Sequence, residues 1–203
     1  MPYMVKIDLQ SPYIPKGLKI LDERSEFHKS VRVDGENFSV DRAMSGLPWE
    51  PKVVPQQFSV EVAAADLPDF FSLRIGYGVT DIFRDKVEEL EPDVHQFFPV
   101  EITAKGRESP VKRVWLLHIC NRVDAIDPIK TSVPLGFGGL FYSTEGLSVG
   151  RELGFVLRKE AVAGKCMWVD CRYKSGEFFS DELFAFVEQS RLTKLRSWHV
   201  CAE

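Results

Sequence analysis

Two neighbouring segments in the middle of the chain carry residue types that do chemistry. His118 and Cys120 lie inside the apolar stretch VWLLHIC, and Asp124 and Asp127 follow it in NRVDAID. A cysteine beside a histidine is the nucleophile and base of many hydrolases. Two carboxylates three residues apart can share a proton in acid–base catalysis or bind a metal ion. One hypothesis for the chain is therefore a small cytoplasmic hydrolase that uses Cys120 or the Asp124/Asp127 pair.

The spacing of these residues favours a structural role instead. Residues two apart in a strand share a face, with their Cα atoms about 6 to 7 Å apart, which is loose for a direct thiol–imidazole hydrogen bond. No glycine-rich turn surrounds Cys120 as in a nucleophile elbow. Asp127 precedes Pro128, and this pattern is typical of a turn. We predict a packed cysteine, a hydrogen-bonded histidine and a turn, with no catalytic residue.

The composition and charge exclude several classes of protein. The 203 residues are 44% hydrophobic and 28% charged, which is ordinary for a globular chain. A formal net charge of -4 disfavours general attraction to nucleic acid or to anionic membranes. No apolar run approaches the roughly 18 residues that span a bilayer, and the first residues lack a signal-peptide pattern, so we expect a cytoplasmic protein. The four cysteines form no C-x-x-C pair, so we expect no metal site and no cofactor.

An acidic run, EELEPD, suggests a contact with a basic protein partner. Glu88, Glu89 and Glu91 crowd the C-terminal end of a predicted helix, and Asp93 follows them. The helix dipole disfavours negative charge at that end, at a cost of a few tenths of a kcal/mol for each exposed residue. Solubility alone could account for the run. The alternative is an acidic surface that meets a basic partner, such as a toxin that degrades nucleic acid.

A glycine-rich stretch, PLGFGGLFYSTEG, is a second candidate contact. It matches neither the G-K-[ST] nor the G-x-G-x-x-G phosphate-binding pattern. Its aromatic residues Phe137, Phe141 and Tyr142 suit a protein-binding surface, because aromatic anchors dominate binding hot spots. Core-facing aromatic residues in a hairpin are the alternative.

Two helix-then-strand units are predicted in the second part of the chain. The segment TDIFRDKVEELEPD begins with the capping residues Thr80 and Asp81, and Pro92 ends the helix. The segment from Ser180 to Val200 aligns with the segment from Thr80 to Val100 at a constant offset of one hundred. We predict that both units pack against a common sheet.

The rest of the chain reads as strands and turns. Residues 96–104 and 111–121 predict a hairpin joined by the polar loop KGRESP, and the first third reads as short strands cut by proline and glycine. The predicted fold is therefore α+β, with a mostly antiparallel sheet. We place a β-rich N-terminal lobe at residues 1–76 and an α+β domain at residues 77–203.

The hairpin sequence resembles a family of bacterial immunity proteins. FFPVEI followed by VWLLHICNRVDAID is similar to the middle of the eleventh family of polymorphic-toxin immunity proteins, and the match runs from Thr80 to Asp127. The closing SDELFAFVEQSRLTKLRSWHV resembles the last helix and strand of that family. The residues of the motif are Phe98, Pro99, Val100, Trp115, Asn121, Asp124 and Asp127.

This resemblance implies a protein that binds and neutralises a cognate toxin without catalysis of its own. Such proteins are usually encoded beside secreted toxins that bacteria deliver to their neighbours in competition. The family brings no catalytic residue, so its motif residues are interpreted as fold determinants. Residues 77–203 would form the immunity-like domain, and a homo-oligomer stays possible.

Overall fold

The structure, a computed structural model, describes residues 2–7, 15–22, 31–33, 36–38, 46–61, 67–133, 154–189 and 195–203. Strands make up most of these segments, and within them seven strands precede the first α-helix. A 3-10 turn at Pro51–Val53 separates two of the early strands. In chain order the elements are β1 (Tyr3–Ile7), β2 (Lys19–Ile20), β3 (Val31–Val33), β4 (Glu36–Phe38), β5 (Gln57–Val60), β6 (Phe70–Ser72), β7 (Tyr77–Val79), α1 (Asp81–Leu90), β8 (Gln96–Ala104), β9 (Lys112–His118), β10 (Arg122–Val123), β11 (Val156–Leu157), α2 (Lys159–Val162), β12 (Met167–Asp170), β13 (Tyr173–Phe179), α3 (Asp181–Gln189), β14 (Leu195–His199) and β15 (Cys201–Ala202).

The predicted hairpin forms the centre of a six-stranded sheet. Strands β8 and β9 pair antiparallel, with Phe98 opposite Leu116 and Pro99 opposite Trp115. The strand order is β2-β5-β8-β9-β7-β6, and β5 and β8 are the parallel pair in it. Alternation along β8 buries Phe98 and Val100 while Pro99 is exposed, as expected when one face of a strand packs on a core. The predicted α+β class with mostly antiparallel pairing is confirmed.

A close backbone approach explains one glycine of this sheet. Gly78 in β7 pairs with Phe71 in β6, and the Phe71 ring lies 2.4 Å from the position that a Cβ atom of residue 78 would occupy. A side chain at this position would collide with a fully buried aromatic ring. The glycine therefore permits the packing of Phe71 across the strand pair.

A second sheet has five strands in the order β10-β12-β13-β1-β14. The N-terminal strand β1 lies in its interior, antiparallel to both β13 and β14. Short two-stranded pairs, β11 with β15 and β3 with β4, complete the described sheets. Hydrogen-bonded strands from both sides of residue 76 meet in the five-stranded and in the six-stranded sheet, and the domain boundary at residue 76 stays a prediction.

The two predicted helix-then-strand units are present. Helices α1 and α3 begin one hundred residues apart and contact one another, and a strand follows each of them. The prediction that the two units share one sheet is wrong, because β8 lies in the six-stranded sheet and β14 in the five-stranded one. Apolar spacing within a strand shows which face is buried, but it does not show which strands become neighbours.

One apolar core joins the two sheets through these helices. It brings Phe83 and Val87 of α1 together with Leu183 of α3, Leu117 of the six-stranded sheet and Phe179 of the five-stranded sheet. The apolar spacing of TDIFRDKVEELEPD predicts Ile82 on the same face of α1 as Phe83 and Val87, but Ile82 is 58% exposed. The buried stripe of α1 is therefore narrower than the sequence pattern indicates, and one aliphatic side chain is left on its outer surface.

Candidate functional site

His118 holds a proline-rich segment against the six-stranded sheet. Its ring is fully buried and stacks on Trp49 with centroids 3.8 Å apart and an interplanar angle of 14°. Nε2–H of His118 donates to the carbonyl oxygen of Leu47. Burial lowers the pKa of His118 to about 4, so the ring is neutral at pH 7. Gln96 supports the same segment, since its side-chain amide exchanges two hydrogen bonds with the backbone of Trp49.

Cys120 does not form a nucleophile–base pair with His118. Its Sγ lies 3.7 Å from Oε1 of Gln96 and 3.7 Å from the carbonyl oxygen of His118, rather than against the His118 ring. Burial raises the pKa of the Cys120 thiol to about 11, so the thiolate that attacks substrates is scarce at neutral pH. These contacts match the predicted packed cysteine beside a hydrogen-bonded histidine.

Asp124 and Asp127 have separate partners at the turn that follows. Asp124 accepts two hydrogen bonds from the guanidinium of Arg172, at 2.7 and 3.1 Å, and lies 3.0 Å from the guanidinium of Arg158. Hydrogen bonds from Arg172, followed by those from Arg158, hold the pKa of Asp124 well below its usual range. A carboxylate pair that shares a proton raises one pKa instead.

Asp127 organises the turn itself. Its Oδ1 accepts the backbone N–H groups of Ile129 at 2.8 Å and of Lys130 at 3.1 Å. These two backbone bonds lower the pKa of Asp127. The turn that Asp127 and Pro128 predict is present, and it leaves the side chain of Ile129 92% exposed.

Asp170 completes the turn from the five-stranded sheet, and sequence reasoning missed it. Its buried Oδ2 accepts the N–H groups of Ala125 at 2.8 Å and of Ile126 at 2.9 Å, and its Oδ1 accepts that of Arg172. The segment CMWVDC gives no signal of this role, because Ala125 and Ile126 lie more than forty residues away in sequence. Asp124, Asp127 and Asp170 thus all take part in hydrogen bonds around NRVDAID, and the structural role of that motif stays a prediction.

Glu91 is the centre of a buried polar network. Its Oε1 accepts from the amide of Asn121 at 2.8 Å, and its Oε2 accepts from the backbone N–H of Cys166 at 2.8 Å. Nε2 of His95 lies 3.4 Å from the same Oε2. Burial alone raises the pKa of Glu91, but hydrogen bonds from His95, Asn121 and Cys166 outweigh it and lower the pKa to about 2. Glu91 therefore carries a buried negative charge, and it lies inside the protein rather than on the predicted contact surface.

The side chains of Glu91, His95 and Cys166 are close enough to hold a metal ion. One ligand atom from each lies within 4.8 Å of the others. The hydrogen bonds suit a different arrangement, because Nδ1 of His95 accepts the N–H of Cys120 at 3.3 Å and the neutral ring then carries its proton on Nε2. A histidine that binds a metal usually donates from its other ring nitrogen. The contacts favour a hydrogen-bonded core, and the absence of a metal site stays a prediction.

The exposed sides of α1 and α3 form an acidic surface. Lys86 of α1 joins the two helices, since its amine lies 3.0 Å from Glu89 and 3.3 Å from Glu182 of α3. Ile82 adds an exposed aliphatic side chain one turn before Lys86. The two helices carry seven carboxylates and two cations. The seven acidic residues that define the acidic surface are Asp81, Asp85, Glu88, Glu89, Asp181, Glu182 and Glu188.

The predicted contact residues divide into three groups. Glu88 and Glu89 belong to the acidic surface, and exposed Asp93 lies just beyond α1, where its N–H donates to Glu88 Oε2 at 3.2 Å. Glu91 is buried, as described above. The aromatic residues Phe137, Phe141 and Tyr142 lie outside the described residues.

Trp115 of the family-like motif fixes the start of α1. Its indole N–H donates to Oδ1 of Asp81 at 2.7 Å, and the guanidinium of Arg84 lies 4.5 Å from the centre of its ring. Phe98 and Val100 pack in the apolar core on the other face of the six-stranded sheet. The hydrogen bond from Trp115 to Asp81 therefore holds the start of α1, the helix that carries most of the acidic surface.

Comparison with known proteins identifies a family over nearly the whole chain. Residues 7–201 match the model of an immunity protein family, Imm11. No curated protein shows significant similarity to the chain. In the part of the chain that the structure describes, no helix is long and apolar enough to cross a membrane.

Proposed function

Because the chain belongs to the immunity protein family Imm11, we propose that it neutralises a cognate protein toxin by binding it, without catalysis of its own. The family match supports the class of function, and the acidic surface supports the place of contact. The toxin would be bound stoichiometrically, with its active site covered or locked in an inactive state. The sequence pattern further suggests a cytoplasmic protein of a polymorphic toxin system that protects a bacterium from competitors.

The distribution of charge along the chain is the observation that supports this place of contact. Helices α1 and α3 together carry a formal charge of -5, whereas the whole chain carries -4. The negative charge is thus concentrated on two adjacent elements. A toxin that acts on nucleic acid has a positive substrate site, and complementary charge steers such a partner and raises its association rate by 10- to 1,000-fold.

The acidic surface also has the mixed character of a protein interface. Ile82 is an exposed aliphatic side chain among charged residues, and it can bury apolar area that charge alone does not supply. The Trp115 hydrogen bond to Asp81 and the ion pair of Lys86 with Glu182 of α3 hold α1 in place, so its surface is formed before the partner arrives. A preformed surface loses less conformational entropy on binding, and a stable complex of this kind buries about 1,200 to 2,000 Å².

Co-expression tests the proposed function. The chain and the product of the gene adjacent to its own are induced together in a bacterial host, and growth is compared with that of cells that express the adjacent product alone. We expect toxicity from the adjacent product and full rescue by the chain. The matched variant Cys120→Ser should rescue equally well, because a binding protein needs no nucleophile.

Two results of the same experiment oppose the proposal. A toxic product that the folded chain neither binds nor neutralises contradicts the immunity function. Loss of rescue in Cys120→Ser, with the fold intact, supports the hydrolase hypothesis instead.

A further inference from the structure

A pocket lies beside the acidic surface, where the two ends of the chain meet. It has a volume of about 350 Å³. Pro2 and Ala202 form one wall, and Val162 and Ala163 of the short α2 segment form another. Trp168, a fully buried side chain of β12, also lines it. The volume falls in the range of cavities that enclose a bound group, and the walls are mostly apolar.

The acidic and the basic residues around the pocket come from different segments of the chain. Asp181, the first residue of α3, lies on one side and belongs to the acidic surface. Lys159 and Lys165 line it from the segment around α2. Neither lysine amine has an ion-pair partner within the described ranges. The pocket is therefore continuous with the acidic surface through Asp181 and bounded by cations contributed by another segment.

We propose that this pocket receives an apolar anchor side chain of the toxin, and this inference rests on the proposed function. Anchors that fill pockets provide much of the binding energy of protein interfaces, and burying one aliphatic or aromatic side chain contributes about 1.5 to 3 kcal/mol. The charges define the surroundings of the anchor. Basic residues of the toxin meet the acidic surface, and an acidic residue next to the anchor meets Lys159 and Lys165.

An unpaired donor in the same place fits an occupant of this kind. Nε1 of Trp168 is buried and has no hydrogen-bond partner among the described residues. Buried indole N–H groups usually have an acceptor, since an unsatisfied donor costs about 1 to 3 kcal/mol. This nitrogen is closed to solvent, so an acceptor of the inserted segment bonds to it only after the Trp168 side chain shifts toward the pocket.

Two variants test the pocket against the product of the adjacent gene as the probe. Ala163→Trp places bulk at the exposed edge of the pocket, and Lys165→Glu reverses the charge beside it. Each should raise the Kd of the complex at least tenfold, measured by calorimetry, while the circular dichroism spectrum and unfolding midpoint stay as in wild type. Ser109→Trp and Arg107→Glu, in the exposed loop after β8, are matched controls that should change the Kd less than twofold.

The outcomes distinguish a failure of the pocket proposal from a failure of the proposed immunity function. Wild-type binding that neither pocket variant weakens overturns the pocket while the immunity function stands. Equal weakening in the variants and in their controls also overturns it, because the effect would then not be specific to this place. No binding by the wild-type chain overturns both proposals.

Discussion

The amide of Asn121 donates a hydrogen bond of 2.8 Å to Oε1 of Glu91, and both side chains are buried. This bond joins the end of α1 to the segment between β9 and β10, and Asn121 also donates to the carbonyl oxygen of Met167 in β12. The helix that carries most of the acidic surface is thus tied to both sheets. An acidic run that looks uniform in sequence contains one carboxylate that holds the fold and others that face outward.

Glu91→Gln should destabilise the fold strongly. Glutamine keeps the shape of the side chain but replaces one acceptor oxygen with a donor, which then faces the N–H groups of His95, Asn121 or Cys166. We expect a loss of about 2 to 4 kcal/mol in the free energy of unfolding at pH 7, measured by urea denaturation. Glu188→Gln, at the exposed end of α3, is the control and should leave the midpoint unchanged.

The loss in Glu91→Gln should depend on pH. The pKa of Glu91 is about 2 in the folded protein and 4.5 without its partners, so its contribution to stability is complete above pH 4.5 and is lost as the pH falls toward 2. The difference between wild type and Glu91→Gln should therefore shrink over that window. A difference that is constant from pH 6 to pH 3 would show that the carboxylate charge is not what the network stabilises.

His118 should make the wild-type fold sensitive to mild acid. Its pKa is about 4 in the folded protein against 6.5 without burial, so the unfolded chain takes up a proton that the folded chain excludes. The free energy of unfolding should fall by up to about 3 kcal/mol as the pH drops from 6.5 to 4. His118→Gln keeps a donor for Leu47 and removes the titration, so its decline over this window should be smaller.

His199→Gln, the same change at an exposed histidine, is the control for the substitution itself, and its stability is measured over the same window. Parallel declines in wild type and His118→Gln would contradict a neutral, buried His118.

Asp170→Ala should cost more stability than Asp127→Ala, although both residues cap the same turn. Asp170 is buried, and its removal leaves the N–H groups of Ala125, Ile126 and Arg172 without their acceptor. We expect a loss of about 2 to 4 kcal/mol, measured by thermal and urea unfolding. The amides that Asp127 caps are reached by water, so a larger loss in Asp127→Ala would contradict this assignment.

The sequence predicted those parts of the fold that local pattern controls. The central hairpin, the helix that begins at Asp81, its counterpart at Asp181 and the turn at Asp127 all follow from periodicity and turn chemistry. The predicted side-chain cap at Thr80 is wrong, because the Thr80 hydroxyl donates to Asp69 instead of accepting from the helix. The position of β1 between β13 and β14 depends on pairing across almost the whole chain, which no local pattern encodes.

The candidate site was predicted only in part, for the same reason. The carboxylates of EELEPD are alike in sequence, and the burial of Glu91 is decided by Asn121, thirty positions away, and Cys166, seventy-five positions away. The sequence also did not predict that α1 and α3 lie side by side. The acidic surface therefore emerges only when the two helices are placed side by side.

The association rate of the chain with the adjacent gene product tests the acidic surface most directly. A variant with Asp85, Glu88 and Glu89 changed to lysine alters exposed or half-buried residues, so it should fold as wild type does. Its association rate constant at low salt should fall at least tenfold, and the difference from wild type should shrink as salt is added, because screening removes the steering. An association rate equal to that of wild type at low salt, with the variant folded, would contradict the account.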